Sequence, residues 1–153
     1  NKFILAKVQG KVVGGGVGLV ASCDIAFALE TASVKLSELS IGIGPYVIEP
    51  AISRKIGTSA FRELSLDSHE WKSAKWAKKK GLYRSVYKSK DALDQEVLKT
   101  ATRLSSYPEK ANTSLRKLHW RETDHWDILL PKNAEISAKL ALEKTTQELL
   151  KKL

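Results

Sequence analysis

The sequence predicts an α/β fold, with a small glycine-rich core followed by a long helical region. Three observations predict it. Apolar, β-branched runs at Phe3–Val8 and Ile25–Leu29 flank three consecutive glycines, Gly14 to Gly16. Residues 15–23 are small and apolar, as a short helix packed between strands must be. From about residue 91 onward, apolar residues recur at helical spacing with charged residues between them.

Taken in order, residues 3–9 read as a strand stopped by Gly10, and Gly10–Val13 as a turn. Residues 15–23 follow as a short helix opened by the glycines. Asp24–Leu29 reads as a second strand, Glu30–Ser33 as a polar turn and Val34–Leu36 as a brief extended piece. Ser37–Leu39 then carries an acid, Glu38, into the loop Gly42-Ile43-Gly44-Pro45. Pro50–Ile56 predicts a helix ended at Gly57, where glycine suits a left-handed cap. Thr58 and Ser59 are placed to cap a further helix through Leu66. Glu70–Lys80 reads as one helix ended by Gly81, with Ala74 and Ala77 on one face, and Leu82–Tyr87 as a strand. Helices are expected over Asp91–Ser106, over Pro108 to about Trp120 with proline in its first turn, and over 132–152. A loop at Asp124–Asp127 precedes the last of these. We read residues 1–88 as core and 89–153 as a helical, oligomerising region. The opening strand needs neighbours on both sides, so the chain is expected to be the later part of a longer protein.

The totals exclude some functions. The 153 residues suit one domain, and 42% hydrophobic with 28% charged residues describes a globular protein. No apolar run approaches the roughly 20 residues of a membrane-spanning helix. One cysteine, Cys23, allows no internal disulfide and suits a reducing compartment, the cytoplasm or, in a eukaryote, the mitochondrial matrix. The net charge of +9 raises a polyanion partner, and Lys72, Lys75, Lys78, Lys79 and Lys80 make a dense basic stretch. A solvated helix face accounts for that stretch more simply than contact with a phosphorylated cofactor or nucleic acid. His119 and His125 match no zinc-ligand spacing, so no metal is expected. The four tryptophans read as core or interface anchors.

Gly16-Val17-Gly18-Leu19-Val20-Ala21 fits a dinucleotide-binding pattern, but its strand ends several residues too early and its helix is too short. A glycine amide at a helix start suits an oxyanion better. Packing alone is the other use of such glycines. Glu38, between the apolar Leu36 and Leu39, is the strongest acid–base candidate, because a desolvated carboxyl titrates nearer neutrality. A solvent-exposed turn glutamate is the plain alternative. Asp24 reads as a structural cap or ion-pair partner.

With these residues in view, the chain resembles the enoyl-CoA hydratase/isomerase (crotonase) superfamily. The matching stretches are residues 4–19, C-D-I-A-F-A at 23–28, L-S-E-L-S-I-G-I-G-P at 36–45, 54–60 and 73–82, all in register. Within it, the chain looks most like short- or branched-chain hydratases of the methylglutaconyl-CoA type. The resemblance implies a crotonase-like superhelix of ββα turns, C-terminal helices that assemble trimers or hexamers, and an acyl-CoA thioester as substrate. Coenzyme A enters only as part of that substrate, with no separate cofactor. Gly15 would supply one of two oxyanion amides, the other coming from a segment upstream. Glu38 matches the second of two hydratase glutamates, but the first falls on Gly18. The loop after Pro45 reads Y-V-I-E-P instead of a glycine-rich stretch. Gly14, Gly18, Pro45 and Glu49 are therefore candidate pocket residues, and Glu49 is a candidate replacement for the lost acid. One acid with one oxyanion hole fits double-bond isomerisation better than hydration. The competing expectations are a non-catalytic acyl-CoA-binding or assembly subunit and, last, RNA binding through residues 72–80.

Overall fold

Gly10 breaks the first apolar run, and the chain uses the break to change sheets. In the computed structural model, which describes residues 2–152, Leu5–Val8 forms β1 and Lys11–Val13 forms β2. The short helix α1 (Gly15–Ala21) follows, then β3 (Ile25–Leu29) and β4 (Ser33–Lys35). Strand β3 lies parallel to β1 with Ile25 beside Leu5, and β4 lies parallel to β2 with Ser33 beside Lys11. The unit is two strands and a helix, and the next unit adds one strand to each sheet. This is the repeat that the crotonase resemblance implies. Residues 11–13 are therefore strand and not turn: their backbone groups find partners only when β4 arrives, which local sequence does not display.

A 3-10 turn at Leu39–Ile41 leads to α2 (Glu49–Ile56) and α3 (Thr58–Leu66). Gly57 joins them at φ 82° and ψ 152°, so it is an extended positive-φ link and not the left-handed cap expected, and neither Thr58 nor Ser59 caps α3 with its side chain. The expected helix 70–80 is shorter. Lys72–Ser73 forms β5, antiparallel to β4, and only Ala74–Lys79 is helical (α4), with the Ser73 hydroxyl accepting from the Trp76 N–H. Edge pairing thus overrides helix propensity at 72–73. Strand β6 (Ser85–Tyr87) completes the first sheet beside β3, while Leu82 and Tyr83 fill the core ahead of it.

The remainder is helical: α5 (Lys90–Ser105), α6 (Glu109–His119), α7 (Trp126–Leu142) and α8 (Lys144–Leu150). The single helix expected over 132–152 is two, because Glu143 takes an extended conformation (φ −61°, ψ 140°). The bend lets Thr146, 2% exposed, donate its hydroxyl to the Gly42 carbonyl at 3.2 Å. The core, centred on Val17, Val34, Leu36, Ile52 and Leu64, lies between the sheets and α1 to α4. Each large aliphatic side chain buried there contributes about 1.5–3 kcal/mol. Helices α6 and α7 bury no residue completely, and Ile128, Ile136 and Leu142 remain exposed.

Candidate active site

The glycine run makes a turn that only glycine tolerates. Gly14 sits at φ 53° and ψ −122°, and its N–H donates to the Lys35 carbonyl at 2.9 Å, tying the turn to β4. Its carbonyl accepts from the Val17 and Gly18 amides, which starts α1. The Gly15 N–H then has no acceptor among the described residues, and Gly15 is exposed. A helix start always leaves such amides free. Here one of them belongs to the residue that follows a glycine packed against a carboxylate.

That carboxylate is Glu38. A Cβ added to Gly14 would stand 2.8 Å from Glu38 Oε1, so the absent side chain is what lets the acid lie against the turn. Glu38 Oε2 is buried with no hydrogen-bond partner. The residue caps the 3-10 turn, and its carbonyl accepts from the Ile41 and Ile43 amides, which fixes the backbone while Oε2 stays without a partner. Burial pushes the Glu38 carboxyl above its ordinary value, outweighing a hydrogen bond from its own N–H. A carboxyl with one buried, unpartnered oxygen and a raised value suits proton transfer.

A cavity of about 600 Å³ opens at Gly15, lined by Gly15, Gly18, Leu19, Val47, Ile48, Trp126 and Leu130 among others. Gly18 has no room for a side chain: a Cβ there would stand 2.4 Å from Ile48 Cγ2. The space in which a second acid would begin is filled by Ile48. Of the six candidate positions, Gly14 and Glu38 touch, and Gly15 and Gly18 line the cavity. Gly14, Glu38, Pro45 and Glu49 are not among its lining residues. The loop after Pro45 contributes Val47 and Ile48 instead, so its apolar residues and not its acid face the cavity. Sequence reading misses Trp126 and Leu130, which α7 brings over the site while Asn133 Nδ2 donates to the Tyr46 carbonyl at 2.8 Å. The one signal for them is the aromatic and aliphatic content of 126–130, in a stretch read partly as loop.

The geometry has its counterpart in known proteins. The family model described as enoyl-CoA hydratase/isomerase matches residues 1–151. The chain belongs to this family. An enoyl-CoA hydratase of Alternaria alternata is 33% identical over 102 residues, covering 67% of this chain and 32% of that protein. A peroxisomal Δ(3,5)-Δ(2,4)-dienoyl-CoA isomerase of Arabidopsis thaliana is 32% identical over 101 residues, covering 63% and 35%. Among solved structures, an enoyl-CoA hydratase from Mycobacterium avium superposes with a TM-score of 0.87 at 26% identity, covering 95% of this chain and 57% of that one. The chain thus spans about a third of these curated relatives and under two thirds of the solved structure.

Within this hydratase/isomerase core, Asp24 is structural, as expected. Its Oδ1 accepts from Trp120 Nε1 at 2.9 Å, and its Oδ2 from the Ile4 amide at 2.7 Å and Arg116 Nε at 3.1 Å. The carboxylate therefore clasps α6 to the entry of β1. Burial alone would raise the Asp24 carboxyl, but these hydrogen bonds and the Arg116 charge outweigh it and hold the carboxyl below its ordinary value. The contribution is present above the ordinary carboxylate range and is lost as pH falls through the lowered value. Asp24→Asn is expected to flatten the acid limb of a melting-temperature profile measured from pH 7 to pH 2, with the larger loss of stability at pH 7.

The remaining candidates separate cleanly. Lys72 lies on β5 with its ammonium on Asp67 and 3.7 Å from Glu63, and Lys80 pairs with Glu63 at 3.2 Å. Two of the five lysines of the basic stretch are thereby committed to carboxylates. Among the described residues no group of three or more His, Cys, Asp or Glu could hold a metal ion. No described helix is long and apolar enough to cross a membrane.

Proposed function

We propose that this chain carries the acid–base part of an acyl-CoA active site that moves a double bond, with Glu38 as its one proton carrier. Glu38 as carboxylate takes a proton from the carbon α to the thioester of a 3-enoyl-CoA. The C–H electrons pass directly into the adjacent carbonyl, giving a dienolate conjugated with the alkene whose negative oxygen accepts from the Gly15 amide. The same carboxyl returns its proton to the γ carbon, leaving a 2-enoyl-CoA. One proton leaves and one returns, and no water is consumed. A single acid is sufficient.

The observation that carries this reading over hydration is Ile48 seated on Gly18. Hydration needs a second group to hold and activate water, and an isobutyl-sized plug stands where it would begin. The relatives' names include both a hydratase and an isomerase, so they leave the choice to the site. The test is a full-length protein given 3-hexenoyl-CoA and, separately, crotonyl-CoA. The expected result is 2-hexenoyl-CoA from the first and no 3-hydroxyacyl product from the second. A 3-hydroxyacyl product formed as fast as the isomerised one overturns it.

The helical region is proposed to assemble a trimer or hexamer of this chain, supported by the exposed Ile128, Ile136 and Leu142 on a helix that buries no residue completely. Sedimentation of the full-length protein is expected to give a multiple of the chain mass, reduced to one by Ile136→Asp.

A further inference from the structure

Four residues of one helix give the cavity its direction. Gly15, Gly18, Leu19 and Ser22 all line it, and they recur at the spacing of a single helix face. The cavity therefore runs along α1, from the amide at Gly15 to Ser22 at the helix end. Seven residues of helix rise about 10 Å, the reach of about eight carbons of an extended chain. Leu19, Val47, Ile48 and Leu130 make the walls apolar. Among the described lining residues Arg116 alone carries a charge, and Asp24 already pairs it at 3.1 Å. The Ser22 hydroxyl is spent on the Gly18 carbonyl at 2.8 Å. Such a channel suits a linear, uncharged chain.

Trp120 stands at the far end. Its Nε1 donates to Asp24 Oδ1 at 2.9 Å, which places the indole two residues past Ser22. The guanidinium carbons of Arg54 and Arg116 lie 5.5 and 5.7 Å from its ring centroid, and Trp126 meets it edge-on with the centroids 6.1 Å apart. A ring held by its N–H, two cations and a second ring does not swing aside cheaply. Behind it lies another cavity of about 320 Å³, whose lining includes Cys23, Lys55 and His119. Among the described residues the two cavities share only Ala51 and Trp120. One indole and one methyl group thus partition an apolar space from a polar one.

We propose that Trp120 sets the length of the acyl chain this site accepts, with Ala51 completing the stop. The chain is linear and uncharged, and its methyl end meets the indole after about eight carbons. This rests on the reading in which the thioester carbonyl sits at the Gly15 amide. Trp120 is then a specificity residue that never touches the reacting carbons.

Saturated thioesters from butanoyl- to dodecanoyl-CoA bind without reacting, and calorimetry on the full-length protein measures each. Affinity is expected to rise about 4-fold for each added CH₂, the gain from burying it, and to stop rising near octanoyl-CoA. Trp120→Ala is expected to open the partition, so that decanoyl-CoA binds about 10-fold tighter than octanoyl-CoA. Trp120→Phe keeps a ring in place and is expected to keep the stop where it is. Ala51→Leu adds bulk at the partition and is expected to move the stop to a shorter chain. Ala51 takes no part in the Asp24 clasp, so this variant decides the matter should thermal melting show that Trp120→Ala releases α6. An affinity that climbs evenly to dodecanoyl-CoA in the unaltered protein overturns the inference. So does a stop that stays at the wild-type length in whichever of Trp120→Ala and Ala51→Leu remains folded. Turnover of 3-hexenoyl-CoA without any stop overturns this inference alone. A stop that moves as expected in a protein that isomerises nothing overturns the catalytic reading alone.

Discussion

Glu38→Gln is expected to lower turnover of a 3-enoyl-CoA by about 10²- to 10⁴-fold, the range ascribed to a positioned acid–base group, with KM little changed. Glutamine keeps the shape against Gly14 but cannot carry the proton. The same substitution has a stability signature that a merely structural glutamate lacks. Burial raises the Glu38 carboxyl, so the neutral form is the one the fold prefers. Stability from that preference is fully present below the ordinary value and is lost as pH rises through the raised one. Melting temperatures of wild type and Glu38→Gln should therefore coincide below the ordinary carboxylate range and separate as pH rises through the raised value, the glutamine variant melting higher. Retained turnover together with superimposable melting profiles would remove Glu38 from the mechanism.

Gly18→Glu is the second. It restores an acid where hydratases of the family carry their first one, and it is expected to fail. Its Cβ would meet Ile48 Cγ2 at 2.4 Å and Ile48 Cβ at 2.8 Å, and neither can retreat without shifting the start of α2. Overpacking of this kind costs typically 1–3 kcal/mol, about a tenth to a half of a small domain's stability. Shortening the plug should relieve it. Gly18→Glu with Ile48→Ala is expected to recover most of the lost melting temperature and to form 3-hydroxybutanoyl-CoA from crotonyl-CoA. A Gly18→Glu single variant that melts like wild type would show that Ile48 does not hold that space.

The parts of the site that sequence displays are those whose chemistry is local. Gly14 to Gly16 announce a backbone that bends and exposes amides, and Glu38 announces itself by its apolar neighbours and the loop after it. What sequence hides depends on distant chain. Ile48 and Gly18 are thirty residues apart, and nothing in Y-V-I-E-P says that one side chain occupies the other's place. The Lys11–Val13 strand is invisible because three residues after a glycine make a strand only if β4 is there to receive them. The division at Glu143 carries no glycine or proline; its cause is Thr146 reaching Gly42 across 104 residues. Trp120 reads only as a core or interface anchor, and Arg116 carries no signal, until Asp24 draws both to the cavity wall.

The Thr146–Gly42 contact has a consequence for the order in which the protein is made. A Cβ on Gly42 would stand 2.5 Å from Thr146 Oγ1, so α8 is pressed directly onto the turn that begins with Glu38. During synthesis the glycine turn and the acid emerge well before the helix that packs on the acid's turn, since Thr146 lies 104 residues after Gly42. The turn that carries Glu38 therefore gains this support only once α8 has been made and has docked.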